Sequence, residues 1–182
     1  MPRRTGVLEL AVLGLLNEQP MHGYELRKRL DKVLGWGHSL SYGSLYPCLK
    51  TLSRQGFLDE EEPPTPTLSR RAKIVYRLTE AGTAHFAELL ADAGPSALDD
   101  ERFGVHFAFF ARTDETVRLR VLEGRKRRLE DRLERVRAQL QRTQERLDAY
   151  GLELQRHGLE SVEREVNWLD GLIRTEKNKT AQ

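Results

Sequence analysis

Two short stretches of this 182-residue chain carry side chains that could do chemistry on a phosphate or on a base edge. The first is Ser41-Tyr42-Gly43-Ser44, followed by Tyr46 and Lys50. The second holds Arg70, Arg71 and Lys73. Small residues let a backbone come close to an anion, and hydroxyls and tyrosines can donate to it. Arginines suit a phosphate backbone or a narrow, electronegative groove. Arg54 could join the first stretch, Lys28 and Arg29 could add backbone contacts, and Arg3-Arg4 could form an arm. Glu60-Glu61-Glu62 sets acid beside the second stretch. It would repel phosphate, so docking falls to the basic-ended tip and the strand after it.

Other chemistries lack their residues. The five histidines, at 22, 38, 85, 106 and 157, have no histidine or cysteine partner at metal-ligand spacing. No Gly-x-Ser-x-Gly elbow and no phosphate-binding glycine loop occurs. The lone cysteine, Cys48, excludes an internal disulfide and reads as a small core residue. These patterns predict no enzyme, no cofactor and no metal. No apolar run nears the roughly 20 residues of a membrane span, and the start does not read as a signal peptide. The expected location is the cytoplasm.

Charge needs dividing before it informs. The chain has 30 basic and 28 acidic residues, so bulk charge gives no field for a polyanion. Residues 1–90 hold 12 basic and 10 acidic side chains, and residues 91–182 hold 18 of each. The second half is therefore balanced, as expected of helices laced with opposite charges.

The elements that must position the first two stretches follow from spacing. Leu8, Val12, Leu15 and Leu16 predict a helix over 5–18, capped by Thr5 and stopped at Gln19-Pro20. Leu26, Leu30, Val33 and Leu34 predict a second over 22–34, ended by Gly35-Trp36-Gly37. A third carries Leu45, Cys48, Leu49 and Leu52 inward and stops near Gly56. Pro47 suits only a first turn, which makes Ser44 the better cap. Phe57–Glu62 and Lys73–Leu78 predict two strands, joined by a proline-rich tip over 63–72. Thr79 caps a fourth helix through Phe86, Leu89 and Leu90. Helix, helix, helix, strand, strand, helix is a winged helix-turn-helix, in which the third helix enters a DNA major groove. The predicted fold class is mainly α with a small β-hairpin.

Several runs then match one known pattern in order: Leu13-Gly14-Leu15-Leu16, Pro20-Met21-His22-Gly23-Tyr24-Glu25-Leu26, Ser41-Tyr42-Gly43-Ser44-Leu45-Tyr46-Pro47-Cys48-Leu49, Gly56-Phe57-Leu58 and Tyr76-Arg77-Leu78-Thr79-Glu80-Ala81-Gly82. Residues 8–82 thus resemble the PadR-type transcriptional regulators. The resemblance implies a homodimeric DNA-binding regulator, usually a repressor, and Asn167-Trp168-Leu169 through Leu172-Ile173 looks like the end of the helical arm in longer members. Side chain by side chain, plainer readings stay open. Tyr24 and Tyr46 read equally as core, Lys50 and Arg54 as a solvated face, and Arg3-Arg4 as disordered.

After Ala93-Gly94-Pro95-Ser96 the composition turns to Arg, Glu, Leu and Gln. Leu119, Leu122, Lys126, Leu129, Leu133, Val136, Leu140, Thr143, Leu147 and Tyr150 recur at alternating steps of three and four, a seam that requires a partner helix. Gly151 and Gly158 suggest a break, and a last helix over 160–177 presents Val162, Val166, Leu169 and Ile173. Phe103–Phe110 reads as a short linking helix. The expected organisation is a DNA-binding domain over 1–92, a linker over 93–98 and a coiled-coil-like dimerisation domain over 99–182. Leu129, Leu133, Val136, Leu140, Leu147, Val166, Leu169 and Ile173 are its expected dimer contacts. Phe107, Phe110 and Trp168 are candidate contacts for a small aromatic or planar effector that would release a palindromic duplex operator. The competing function is a dimeric helical adaptor with no specific DNA readout.

Overall fold

The computed structural model describes residues 3–34, 42–61, 74–143 and 147–180. Its elements are α1 (Arg3–Glu18), β1 (Met21–His22), α2 (Gly23–Leu34), α3 (Tyr42–Arg54), β2 (Leu58–Glu61), β3 (Val75–Leu78), α4 (Glu80–Ala91), α5 (Asp100–Ala108), α6 (Glu115–Thr143) and α7 (Ala149–Thr180). Short 3-10 turns stand at Pro95–Leu98 and Phe110–Arg112. The fold is mainly helical with one small antiparallel sheet, as the sequence predicts.

The chain forms two compact units. One comprises Met1–Asp92 with Asp100–Thr113, and the other Ala93–Asp99 with Asp114–Gln182. The Gly-Pro-Ser cluster led instead to a linker over 93–98 and an arm from 99. Residues 100–113 join the first unit for a packing reason. Val105 and Phe109 are buried in its core, and Phe109 meets Phe86 edge to face at 5.6 Å. A Cβ at Gly14 on α1 would fall on the Phe109 ring, so glycine there makes room for it.

In the first unit α1 is enclosed rather than one-sided. Leu10, Ala11, Val12 and Leu13 are fully buried, and Val7, Leu8, Leu15 and Leu16 nearly so. The four-residue stripe predicted from sequence is thus a fraction of the buried surface. Leu26 and Leu30 of α2 and Leu45, Leu49 and Leu52 of α3 complete the core around it. Each such side chain is worth about 1.5–3 kcal/mol when fully buried.

The sheet has a strand that sequence periodicity missed. Met21-His22 pairs with β3, Met21 opposite Tyr76 and His22 opposite Val75, giving the order β1-β3-β2. Two residues are too few for an alternation to register. Helix α2 consequently starts at Gly23, one residue later than predicted, and His22 Nδ1 accepts the Glu25 N–H at 3.1 Å as its cap. Helix α3 starts at Tyr42 and keeps Pro47 inside it, whereas a start after Ser44 was expected. The proline removes a single donor near the helix start, and Thr51 Oγ1 donates to the Pro47 carbonyl at 2.9 Å.

The second unit is a helical hairpin. Pairs Arg118–Glu176, Lys126–Asp170 and Arg137–Glu163 run in opposite senses, so α6 and α7 are antiparallel. Asp114 caps α6 by accepting the Thr116 N–H at 2.8 Å, and the Thr116 hydroxyl, seconded by that N–H, holds its carboxyl below the usual range. Asp148 caps α7 through the Gly151 N–H at 2.7 Å. Two expectations fail here. The single helix expected through Tyr150 ends at Thr143, and the break expected near Gly151 and Gly158 does not occur. A helix interior tolerates glycine at about 1 kcal/mol each. The offset is the apolar series Leu152, Leu159, Val162, Val166, Leu169 and Ile173, which runs past both glycines at helical spacing.

Candidate nucleic-acid interface

Helix α3 has the two faces a recognition helix needs. Leu45, Leu49 and Leu52 anchor it, each about 1% exposed. Cys48 joins them, and burial, assisted by the charge of Glu9, pushes its thiol up to about 12. It stays a protonated thiol at neutral pH and serves as a small packing residue. On the other side Tyr46, Lys50 and Arg54 are exposed, Tyr46 at 39%. Ser44 is half-buried. Tyr42 and Gly43 form the first turn of α3. Their side chains, together with Ser41, Arg70, Arg71 and Lys73, lie outside the described residues, as do the side chains of Arg3 and Arg4.

Tyr46 leans over the start of α2. Its ring and hydroxyl stand 3.3 Å from where a Gly23 Cβ would be, so Gly23 gives the tyrosine its seat. Tyr24 beside it is 63% exposed, which makes it a surface aromatic, not a core one. Lys28 is exposed one turn further along α2. Neither Lys28, Lys50 nor Arg54 forms an ion pair with another described residue. Arg29 differs. Its guanidinium meets Glu25 at 2.8 Å and Glu18 at 3.7 Å, so it is engaged within the unit.

The acidic strand is less repulsive than its sequence suggests. Glu60 accepts the Ser53 hydroxyl at 2.8 Å, tying β2 to the end of α3. Glu61 meets Arg77 across the hairpin at 2.9 Å, and that bond lowers its carboxyl. Tyr76, directly opposite Glu60, is buried, and desolvation raises its hydroxyl. Sequence reasoning missed these partners because Ser53 and Arg77 lie 7 and 16 residues away from them. Register, which fixes cross-strand neighbours, is not legible without the turn between the strands.

The turn from α3 into β2 is closely built. Phe57 N–H bonds the Leu52 carbonyl and Gly56 N–H the Ser53 carbonyl, a glycine helix stop with Gly56 at φ +77°. Thr79 closes the hairpin from the far side. Its hydroxyl donates to the Gly56 carbonyl at 2.7 Å and accepts the Gly82 N–H at 3.0 Å, while its own N–H bonds the Phe57 carbonyl. A Cβ at Gly82 would fall on that Phe57 carbonyl oxygen, which forbids any larger residue. The runs Gly56-Phe57-Leu58 and Leu78-Thr79-Glu80-Ala81-Gly82 are therefore one joint, holding hairpin and helix together.

The other candidate residues separate. Phe107 and Phe110 are half-buried in the first unit with ring centroids 5.1 Å apart, and Phe103 stacks on Phe107 at 6.0 Å. Trp168 stands on α7 in the second unit, 45% exposed. Leu129, Leu133, Leu169 and Ile173 are buried in the α6–α7 hairpin of a single chain. Val136, Leu140, Leu147 and Val166 are half-buried. Among the described residues no helix is long and apolar enough to cross a membrane, and no three His, Cys, Asp or Glu groups gather as a metal site.

Residues 12–88 match the model of the transcriptional regulator PadR-like family. The negative transcriptional regulator PadR of Bacillus subtilis (strain 168) is 33% identical over 76 residues, 42% of this chain and 41% of that protein. The matched part thus spans less than half of this curated relative. Among solved structures, Bacillus subtilis PadR in complex with operator DNA superposes with a TM-score of 0.45 at 22% identity, covering 93% of this chain and 99% of that one. The same protein in complex with p-coumaric acid gives 0.42 at 21%, covering 94% and 99%.

Proposed function

With residues 12–88 belonging to the PadR-like family of transcriptional regulators, we propose that this protein is a sequence-specific DNA-binding regulator acting as a homodimer on a palindromic operator. One observation carries the reading. Helix α3 is anchored by three fully enclosed leucines and turns Tyr46, Lys50 and Arg54 outward, free of ion pairs with other described residues. On the same reading Arg70, Arg71 and Lys73 add phosphate contacts, and Ser41, Tyr42, Gly43 and Ser44 supply the close approach. Lysine and arginine neutralise phosphates and release counterions, which gives affinity. Base-edge contacts give discrimination of about 1–3 kcal/mol each.

Dimerisation has its own support. Tyr150, Leu154 and Trp168 are exposed on α7 at spacings that put them on one side of the helix. Large apolar side chains so arranged are the usual mark of a protein interface. Val136, Leu140 and Leu147, half-buried, remain candidate dimer contacts, while Val166, on the opposite side of α7 from Trp168, joins Leu129, Leu133, Leu169 and Ile173 in holding the hairpin. Two copies read a palindrome with half-sites about one helical turn apart. Repression is the direction the curated relative supports, being a negative regulator. Release by a small aromatic or planar effector is proposed from the Phe103–Phe107–Phe110 ring cluster of the first unit.

Selection of random duplexes by the full chain tests the whole reading. The expected result is an enriched inverted repeat, bound with a steep salt dependence, by a species of twice the chain mass. An eluted pool with no enriched repeat overturns it. A stable dimer that enriches nothing would make the chain a helical adaptor.

A further inference from the structure

Four segments meet at Phe57: the end of α3, the start of β2, the cap of α4 and, through one side chain, α1. That side chain is His85 on α4. Its ring lies flat on Phe57, centroids 4.3 Å apart and planes 12° from parallel. Its Nε2 stands 3.0 Å from Glu9 Oε1 on α1, and its Nδ1 stands 3.7 Å from Glu88 Oε2. His85 and Glu9 are each about one quarter exposed, so the contact is partly shielded from water and salt. The charge of Glu9 also reaches Cys48 on the inner side of α3.

We propose that His85 is a positioning residue for DNA recognition: tethered to α1 by Glu9 and stacked on Phe57, it sets the angle at which the β2–β3 hairpin leaves the recognition helix. Helix α1 is the fixed reference, because its residues 10–16 are all buried. Backbone bonds already fix the Gly56–Phe57 and Thr79 peptides. The Phe57 ring beside them packs against the core, so the joint can shift only if that ring shifts too. A flat ring held at one edge by a carboxylate keeps the Phe57 ring in one plane. An aliphatic residue could fill the space but could not define the plane. Glu60 accepting from Ser53 is the second tie on the same joint.

The affinity half of the test rests on the DNA-binding reading, and the exchange half does not. Hydrogen exchange is measured on the full chain without DNA for wild type, His85→Ala and His85→Phe, and affinity on the selected duplex. For His85→Ala, faster exchange confined to residues 56–61 and 75–79 is expected, with affinity down about tenfold, equivalent to ~1.4 kcal/mol. His85→Phe keeps the stack without the Glu9 tether and should recover only part of both. Faster exchange spread through α1, α2 and α4 would mean that His85 serves stability only, and overturns the proposal. So does unchanged exchange at the joint, or a loosened joint with undiminished affinity. A wild-type chain that selects no duplex sinks the DNA reading instead, and exchange at the joint still decides whether His85 orients the hairpin.

Discussion

The two units keep their shape by different means. In the first, α1 is sealed on every side by apolar neighbours and glycine contacts leave no slack. In the second, a narrow apolar seam of Leu122, Leu129, Leu133, Leu169 and Ile173 is bordered by ion pairs that bridge α6 and α7. Apolar burial is insensitive to salt, whereas partly exposed ion pairs weaken with it. The first unit is thus built for a fixed shape, and the arm for a register set by charge. Lys126 makes the point. It interrupts the seam, and Asp170 takes its ammonium at 2.6 Å, a bond that raises its pKa.

The largest expected effect comes from closing the space at the joint. Gly82→Val puts side-chain carbons on the Phe57 carbonyl oxygen, where backbone must move. A loss of about 3 kcal/mol or more in the first unit is expected, within the range of overpacked and strained sites. Segment-resolved hydrogen exchange should show it in α1–α4 while α6 and α7 keep their protection. A Gly82→Val chain as stable as wild type would refute the tight joint.

The second effect separates the units by pH. His106 is fully buried on α5, and burial, with the Arg102 charge adding to it, lowers its pKa to about 4. The unfolded chain binds a proton near 6.5 and the folded one resists until about 4. Stability from this group is therefore complete above 6.5 and declines as pH falls towards 4. The total is on the order of 3 kcal/mol. Denaturant titrations at pH 7 and pH 4.5 should show it in wild type and not in His106→Leu. Equal slopes in both would end the argument. In the arm the sensitive group is Glu176, whose carboxyl is lowered by Lys179 and then Arg118, so its contribution is lost only in the more acid range, below the ordinary glutamate value.

These contrasts bear on what was legible beforehand. The apolar spacing of α3, the capping role of Thr79 and the stop at Gly56 were readable because each is a local pattern with a local cause. The enclosure of α1 was not, since a stripe of four residues does not reveal how many neighbours a helix has. Strand β1 was too short to show a period. The continuity of α7 through Gly151 and Gly158 was hidden because glycine is a weak breaker when an apolar series runs past it. At the site, Tyr46 and Lys50 could be picked out as candidates. The Glu9–His85 pair, 76 residues apart in sequence, left no local trace.

A third expected effect tests the charged half of the arm. Arg125 is buried, with its guanidinium on Glu165 at 2.6 Å and on the Leu98 carbonyl at 2.9 Å. Arg125→Ala leaves both acceptors without their donor. About 2 kcal/mol of arm stability should go, below the 3–5 typical of sealed pairs because Glu165 keeps some water. Measured in low and in high salt, the loss should change little, since the bond to the carbonyl is not ionic on one side. A loss that vanishes in high salt would place Arg125 among the surface pairs.

The smallest effect is the most discriminating for the comparison between the units. Lys126 and Asp170 are both partly exposed, so breaking their pair should cost only about 0.2–1 kcal/mol. Lys126→Leu removes the charge and extends the apolar seam. If register in the arm is set by charge, this variant gains or holds thermal stability and loses uniqueness, because a polar seam position chooses among pairings that an apolar one leaves equivalent. The check is oligomeric state by light scattering. Wild type is expected as a single dimeric species and Lys126→Leu as a mixture of sizes. A Lys126→Leu chain that stays one clean dimer would make the seam, and not its charges, the source of register, and the arm would then be held together on the same terms as the first unit.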